Sequence, residues 1–178
     1  MENQVSVWKA NLNSGVIMGL LGIVWTLFLW FIDQSMNVIL PWVWFLGMII
    51  LLFFFIKSYR DKYRKGFITY GQSLGAGVVI MLYYSIISAI FTYIMYSYID
   101  PGIPEKLLAA AEQRMVDMGM AEGMVEQSMK FQSKVMVPWV MSLGQVFNGV
   151  LMGTIISLII SIFTRKEGNP LIDDSIEE

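Results

Sequence analysis

Four apolar stretches, each long enough to cross a bilayer, constrain this chain more than any other feature. A helix needs about 20 mostly apolar residues to span roughly 30 Å of hydrocarbon, and only helices or closed barrels satisfy every backbone group there. GVIMGLLGIVWTLFLWFI (about 15–32) and VILPWVWFLGMIILLFFFI (about 38–56) qualify, and with only DQSMN between them they predict a tight helical hairpin. Two further stretches, about 74–99 and about 138–163, are long enough to tilt or to protrude. With 56% hydrophobic and 15% charged residues in 178, the chain carries more apolar surface than one soluble core of that size could hide. The expectation is an all-α, single-domain membrane bundle of four helices covering residues 1–178, with both termini on one side.

A signal peptide is the rival reading of the first stretch. Its n-region is nearly uncharged and no small-residue cleavage site follows, so it reads as a retained span. Positive residues in short flanking segments stay cytoplasmic. KSYRDKYRK, between spans two and three, holds Lys57, Arg60, Lys62, Arg64 and Lys65 against the single acid Asp61, and Lys9, Arg165 and Lys166 fall on the same side. Both termini are therefore expected in the cytoplasm. DQSMN has no positive charge, and the segment from Asp100 to Val137 sets Lys106, Arg114, Lys130 and Lys134 against six acids, which places it outside. Trp30, Trp42, Trp44, Tyr93, Tyr96, Tyr98 and Trp139 fall near the same outer interface, where amphipathic rings prefer to lie.

The outer segment, about 103–137, reads as two amphipathic helices. Prolines and a glycine in IDPGIPEK end span three, and Pro104 with Glu105 suits the first turn of a new helix. Leu108, Ala111, Met115 and Met118 recur at three- and four-residue spacing, and Gly119 stands where a C-terminal cap would. A second run from about Ala121 places Val125, Met129 and Met136 on a comparable stripe, with direct continuation into span four left open. Half of the chain's 14 methionines lie between Met115 and Met141. Clustered thioethers suit Cu(I), but no Cys or His joins them, and Met is the usual choice for adaptable contact surfaces. Met115, Met118 and Met129 are accordingly the candidate partner-contact residues, and no metal or cofactor is expected.

A net charge of -2 provides no field for nucleic acid, and the absence of Cys and His removes thiol nucleophiles, imidazole bases and ordinary zinc sites. No ionisable residue falls inside a span except Asp33 and Asp100 at the ends, which argues against a carrier coupled to ions through intramembrane carboxylates. Tyr83, Tyr84, Ser85, Ser88 and Thr92 in span three and Ser142, Gln145 and Asn148 in span four read first as interhelical hydrogen-bonding groups and second as the lining of a cavity. Gly149, Gly153, Ser157 and Ser161 put a small residue at every fourth position of span four, which predicts a close packing seam. Gly15 with Gly19 opens span one in the same manner, and Gly71 with Gly75 enters span three. SGVIMG (14–19) and NGVLMG (148–153) look alike but are too short to claim a repeat. GQSLGAG lacks a preceding strand and NGVLMG lacks a Lys-Ser/Thr ending, so neither is a nucleotide loop. LIDDSIEE closes an acidic tail, about 166–178, read as solvated and disordered.

The joined first pair of spans, the YRDKYRKGFITYGQSLGAG junction, the outer IDP turn and MVDMGMAEGMVEQSM before the last span together resemble an uncharacterised bacterial four-span family, domain of unknown function four-one-nine-nine. The resemblance covers essentially Val7 to Phe163 and implies a bacterial inner-membrane protein with no catalytic residues to carry over. It also implies, through the proximity of family members to membrane glycosyltransferases, an accessory role beside such an enzyme. The sequence reading is thus a multi-pass, non-enzymatic accessory or scaffold subunit that binds another membrane or envelope protein. The alternative is a small homo-oligomeric transporter or lipid-handling protein working through Tyr84, Gln145 and Asn148.

Overall fold

The structure is a computed structural model and describes residues 5–167. Six α-helices lie in that range: α1 (Val7–Phe31), α2 (Leu40–Tyr63), α3 (Tyr70–Ile94), α4 (Ile103–Asp117), α5 (Glu122–Val135) and α6 (Pro138–Thr164). α1, α2, α3 with its extension to Ile99, and α6 are long and apolar enough to cross a membrane, so this is an all-α, multi-pass membrane bundle. Two helices outrun the stretches that hydropathy marks. α1 begins at Val7 because Asn11, which reads as a polar break, is fully buried and donates from Nδ2 to Val7 O at 2.9 Å. α2 continues through the basic segment to Tyr63, where Arg60 and Lys62 in its last turn complement the helix dipole. The acidic tail lies outside the described residues except for Lys166 and Glu167.

α3 is the central element, packed along α6 on one face and α1 on another. In lipid, helices gain little from burying apolar surface, so association depends on close backbone approach at small residues. A methyl built on Gly153 would overlap the Met81 side chain, one on Gly77 would overlap Ser157, and one on Gly149 would stand 2.6 Å from Ser85 Cβ. Lower down the same seam, the hydroxyls of Ser73 and Thr164 share a 2.6 Å hydrogen bond, and Ser157 and Ser161 are fully buried. Gly15 meets Tyr83 and Gly19 meets Ile87 on the α1 side. The seams of α1 and α6 therefore close within one chain, and the two similar hexapeptides use one device on two faces of α3. Gly71 and Gly75 do not: nothing lies within 4 Å of where their side chains would begin. The small face of α3 is instead Ser73, Gly77, Met81 and Ser85, offset by two residues from the expected pair.

The two ends of the bundle are fastened differently. At the end that carries the α2–α3 loop, Ile68 and Lys166 exchange backbone hydrogen bonds of 2.8 and 2.9 Å, and Arg60 Nη1 donates to Thr164 O at 3.3 Å. At the other end α3 widens into a π-helical turn, Met95–Ile99, and Asp100 then joins three elements. Asp100 accepts from Trp30 Nε1 at 3.2 Å and from the Gly102 amide at 3.2 Å, and it pairs with Lys106 at 3.7 Å. Beyond it, α4 and α5 form a helical hairpin. Gly119, at φ +72°, ends α4 in a Schellman motif, with its own amide on Val116 O and that of Met120 on Met115 O. α5 does not run into α6; it stops at Val135, and Pro138 opens the last helix afresh.

The seam yields a direct test. Gly153→Leu should lower the unfolding free energy in mild detergent by about 1–3 kcal/mol or more through overpacking, whereas Gly75→Ala, in open space, should leave the unfolding midpoint unchanged.

Candidate functional site: a polar-lined cleft in the bundle

α2 is packed most fully toward the α2–α3 loop. Leu52, Ile56 and Tyr59 are fully buried near the α2–α3 loop, whereas Pro41, Trp42 and Val43, at the hairpin end, are exposed. Between that splayed half of α2 and helices α3 and α6 lies a cleft of about 540 Å³, lined by Phe45, Met48 and Met81 on its apolar side and by Tyr84, Gln145 and Asn148 on its polar side. A smaller chamber of about 250 Å³ adjoins it on the α1 side, with Trp25, Thr26, Ser88 and Thr92 in its wall. Both cavities share Pro41, Trp44, Tyr84 and Gln145.

Trp44 and Tyr84 form the partition. The indole Nε1 of Trp44 donates to Tyr84 Oη at 3.1 Å, and Trp25 stacks on Trp44 with ring centroids 6.2 Å apart. Trp25 Nε1 is buried without a hydrogen-bond partner among the described residues. Thr92 Oγ1 donates to Gln145 Oε1 at 2.8 Å, which engages the carbonyl of that amide, while its NH₂ makes no hydrogen bond to a described residue and Gln145 lines both cavities.

Asn148 is the group least accounted for by packing. It is exposed, lines the larger cleft, and makes no hydrogen bond to a described residue. It stands ten residues after Pro138 at the start of α6, and therefore about 15 Å along the axis, near the middle of a hydrocarbon core roughly 30 Å thick. An amide left against hydrocarbon there is disfavoured by several kcal/mol.

The residues chosen from sequence separate into four groups. Tyr84, Gln145 and Asn148 come together in one cleft, as the cavity alternative required. Ser85 and Ser142 turn instead to carbonyls of their own helices, Leu82 O and Pro138 O. Met115 and Met129 are half-buried in the α4–α5 hairpin, while Met118 is exposed, so the expected stripe breaks at the cap of α4. Lys57, Arg60, Lys62, Arg64 and Lys65 stand together at the loop end, where Arg60 pairs with Asp61 at 2.8 Å and Arg64 Nε donates to Tyr59 Oη at 3.0 Å. Sequence reasoning missed Trp25 and placed Trp44 in an interfacial belt. Gly22, Trp25, Thr26 and Leu29 share one face at helical spacing, and that stripe was the available signal. Among the described residues no three carboxylates gather as a metal site would require.

A family model described as Protein of unknown function (DUF4199) matches residues 13–166. No curated protein and no solved structure matches the chain.

Tyr84→Phe should leave the Trp44 indole without its acceptor and lower stability in detergent by about 1–2 kcal/mol, with a shift in tryptophan emission as Trp44 relaxes. Tyr93→Phe, on the exposed surface, should change neither reading.

Proposed function

The chain belongs to the DUF4199 family of proteins of unknown function, and we propose from its cleft that it binds a membrane amphiphile inside the bundle, as a non-enzymatic lipid-handling protein. Asn148 carries this reading: a mid-span amide without a partner is tolerable when a bound molecule brings it a carbonyl or hydroxyl. Gln145 lines the same space, and its NH₂ donates to the same kind of group. Met48, Met81, Met141 and Met152 surround it with soft, adaptable apolar surface, suited to a flexible chain. The splayed half of α2 supplies a lateral way in from the bilayer.

A second reading keeps the chain as an accessory subunit, beside a membrane glycosyltransferase or another envelope protein. It is supported by Val116, Met118, Met124 and Phe131 on the α4–α5 hairpin, which are 54%, 71%, 57% and 68% exposed. We further place the protein in a bacterial inner membrane with both termini cytoplasmic, supported by the cluster of Lys57, Arg60, Lys62, Arg64 and Lys65 at the end where Lys166 meets Ile68.

Purification of the full chain in a mild detergent, followed by native mass spectrometry and lipid extraction, tests the first reading. The expected result is a co-purifying lipid at near stoichiometry, reduced at least severalfold in Asn148→Leu and in Gln145→Leu. A stoichiometric protein partner with an empty cleft would support the accessory reading instead, and unchanged lipid in both variants would overturn the cleft reading. Topology has its own check, because the chain contains no Cys. A single Cys at Glu122 should react in intact cells with a membrane-impermeant maleimide, and one at Lys62 should react only after lysis; the reverse pattern would invert the orientation.

A further inference from the structure

A third cavity, of about 380 Å³, sits where the α1–α2 loop meets the outer hairpin, with Ser35 and Pro41 on one wall and Ala110, Arg114 and Met136 on the other. Leu107, Ala110, Ala111 and Arg114 all line it, and their spacing marks one continuous face of α4. Pro41 borders this chamber and both cavities within the bundle, so the three spaces meet at the first turn of α2.

The Arg114 guanidinium is exposed to solvent at this chamber and faces no acid in its lining. None of its lining residues is acidic, and Arg114 makes no ion pair with a described residue, whereas Lys106 is paired with Asp100 and Lys130 with Glu126. The Ser35 hydroxyl likewise makes no hydrogen bond to a described residue, while Asn37 is spent on Gln34, Ile39 and Leu40. A planar cation and a hydroxyl at the bundle's rim, in a chamber that shares Pro41 with a cleft lined by neutral amides and apolar side chains, match the groups of a phospholipid: phosphate, ester carbonyl, acyl chain.

We propose that the Arg114 chamber seats the phosphate headgroup of an anionic phospholipid whose ester region and chain occupy the cleft between α2, α3 and α6. This rests on the cleft reading above and adds the ligand's class. The tail contributes little selectivity, because bilayer and cleft are similarly apolar, so Arg114 sets the preference.

The test uses delipidated full-length protein in a neutral detergent, native mass spectrometry, and three probes: phosphatidylglycerol, diacylglycerol with the same chains, and inorganic phosphate. Wild type should hold phosphatidylglycerol over diacylglycerol and should not hold inorganic phosphate, since the phosphate is captured as part of a lipid. Arg114→Gln should lose phosphatidylglycerol affinity on the order of tenfold, as for a lost charge-assisted hydrogen bond, with diacylglycerol binding unchanged. Arg114→Lys, which keeps the charge, should retain most of the preference and shows that the site is folded. Equal phosphatidylglycerol binding by wild type and Arg114→Gln would overturn the headgroup assignment while leaving the cleft reading intact. Binding of neither lipid by wild type, or a dimer mass in place of a lipid adduct, would overturn both.

Discussion

The close approach of α3 to α6 is the constraint on which the rest of the bundle depends. Helices already dissolved in hydrocarbon gain little from meeting unless their backbones can come near enough for dense packing. Gly77, Gly149 and Gly153 make that possible, interleaved with Ser85, Met81 and Ser157. α1 repeats the arrangement with Gly15 and Gly19. α2 cannot: its only glycine, Gly47, faces open space, and its apolar surface is built from Trp, Phe, Ile and Leu. It therefore rests on the other helices at Leu52 and Ile56, near the loop end, and stands away at Pro41. The cleft is a consequence of where small residues are present and where they are absent.

That logic also explains which parts of the structure were readable in the sequence. The spans were legible because hydrocarbon thickness fixes their length, and the small-residue face of α6 was legible because a four-residue period fixes a helix face. What packs against that face was not, since a period identifies a face and not its partner. Gly71 and Gly75 show the failure most directly: their spacing is right, yet the contact uses Ser73 and Gly77, because the register between α3 and α6 is set jointly by both helices. The start of α1 was not legible either: the apolar stretch begins at about Gly15, whereas the helix reaches back to Val7 through Asn11, which is buried and bonds to Val7 O.

Aromatic and methionine residues divide along the same line. Trp44 has the sequence position of an interfacial ring, yet its indole N–H finds Tyr84 inside the bundle, and nothing in composition separates it from Trp42, which is 64% exposed two residues earlier. Depth along α2 differs by only about 3 Å between them, whereas rotation about the axis differs by about 200°. The methionines of the hairpin draw attention because they stand in a polar segment. Those of the membrane, Met48, Met81 and Met152, go unnoticed among other apolar residues, although they wall the cleft that both Gln145 and Asn148 line.

A membrane binding site faces a competitor that a soluble one does not, because the bilayer itself solvates an acyl chain as well as any protein cleft can. Moving the chain from lipid into the cleft changes its free energy little, and the hydrophobic effect that dominates binding from water is absent from the balance. Selective occupation must come from groups that the bilayer core cannot offer. In this protein those are the NH₂ of Gln145, the amide of Asn148 and, at the rim, the guanidinium of Arg114. No Asp, Glu, Lys or Arg is among the described residues that line the two cavities within the bundle. On the cleft reading proposed above, such a site works at equilibrium with the membrane, and polar complementarity along α4 and α6, more than the volume of the cavity, would determine which lipid is held.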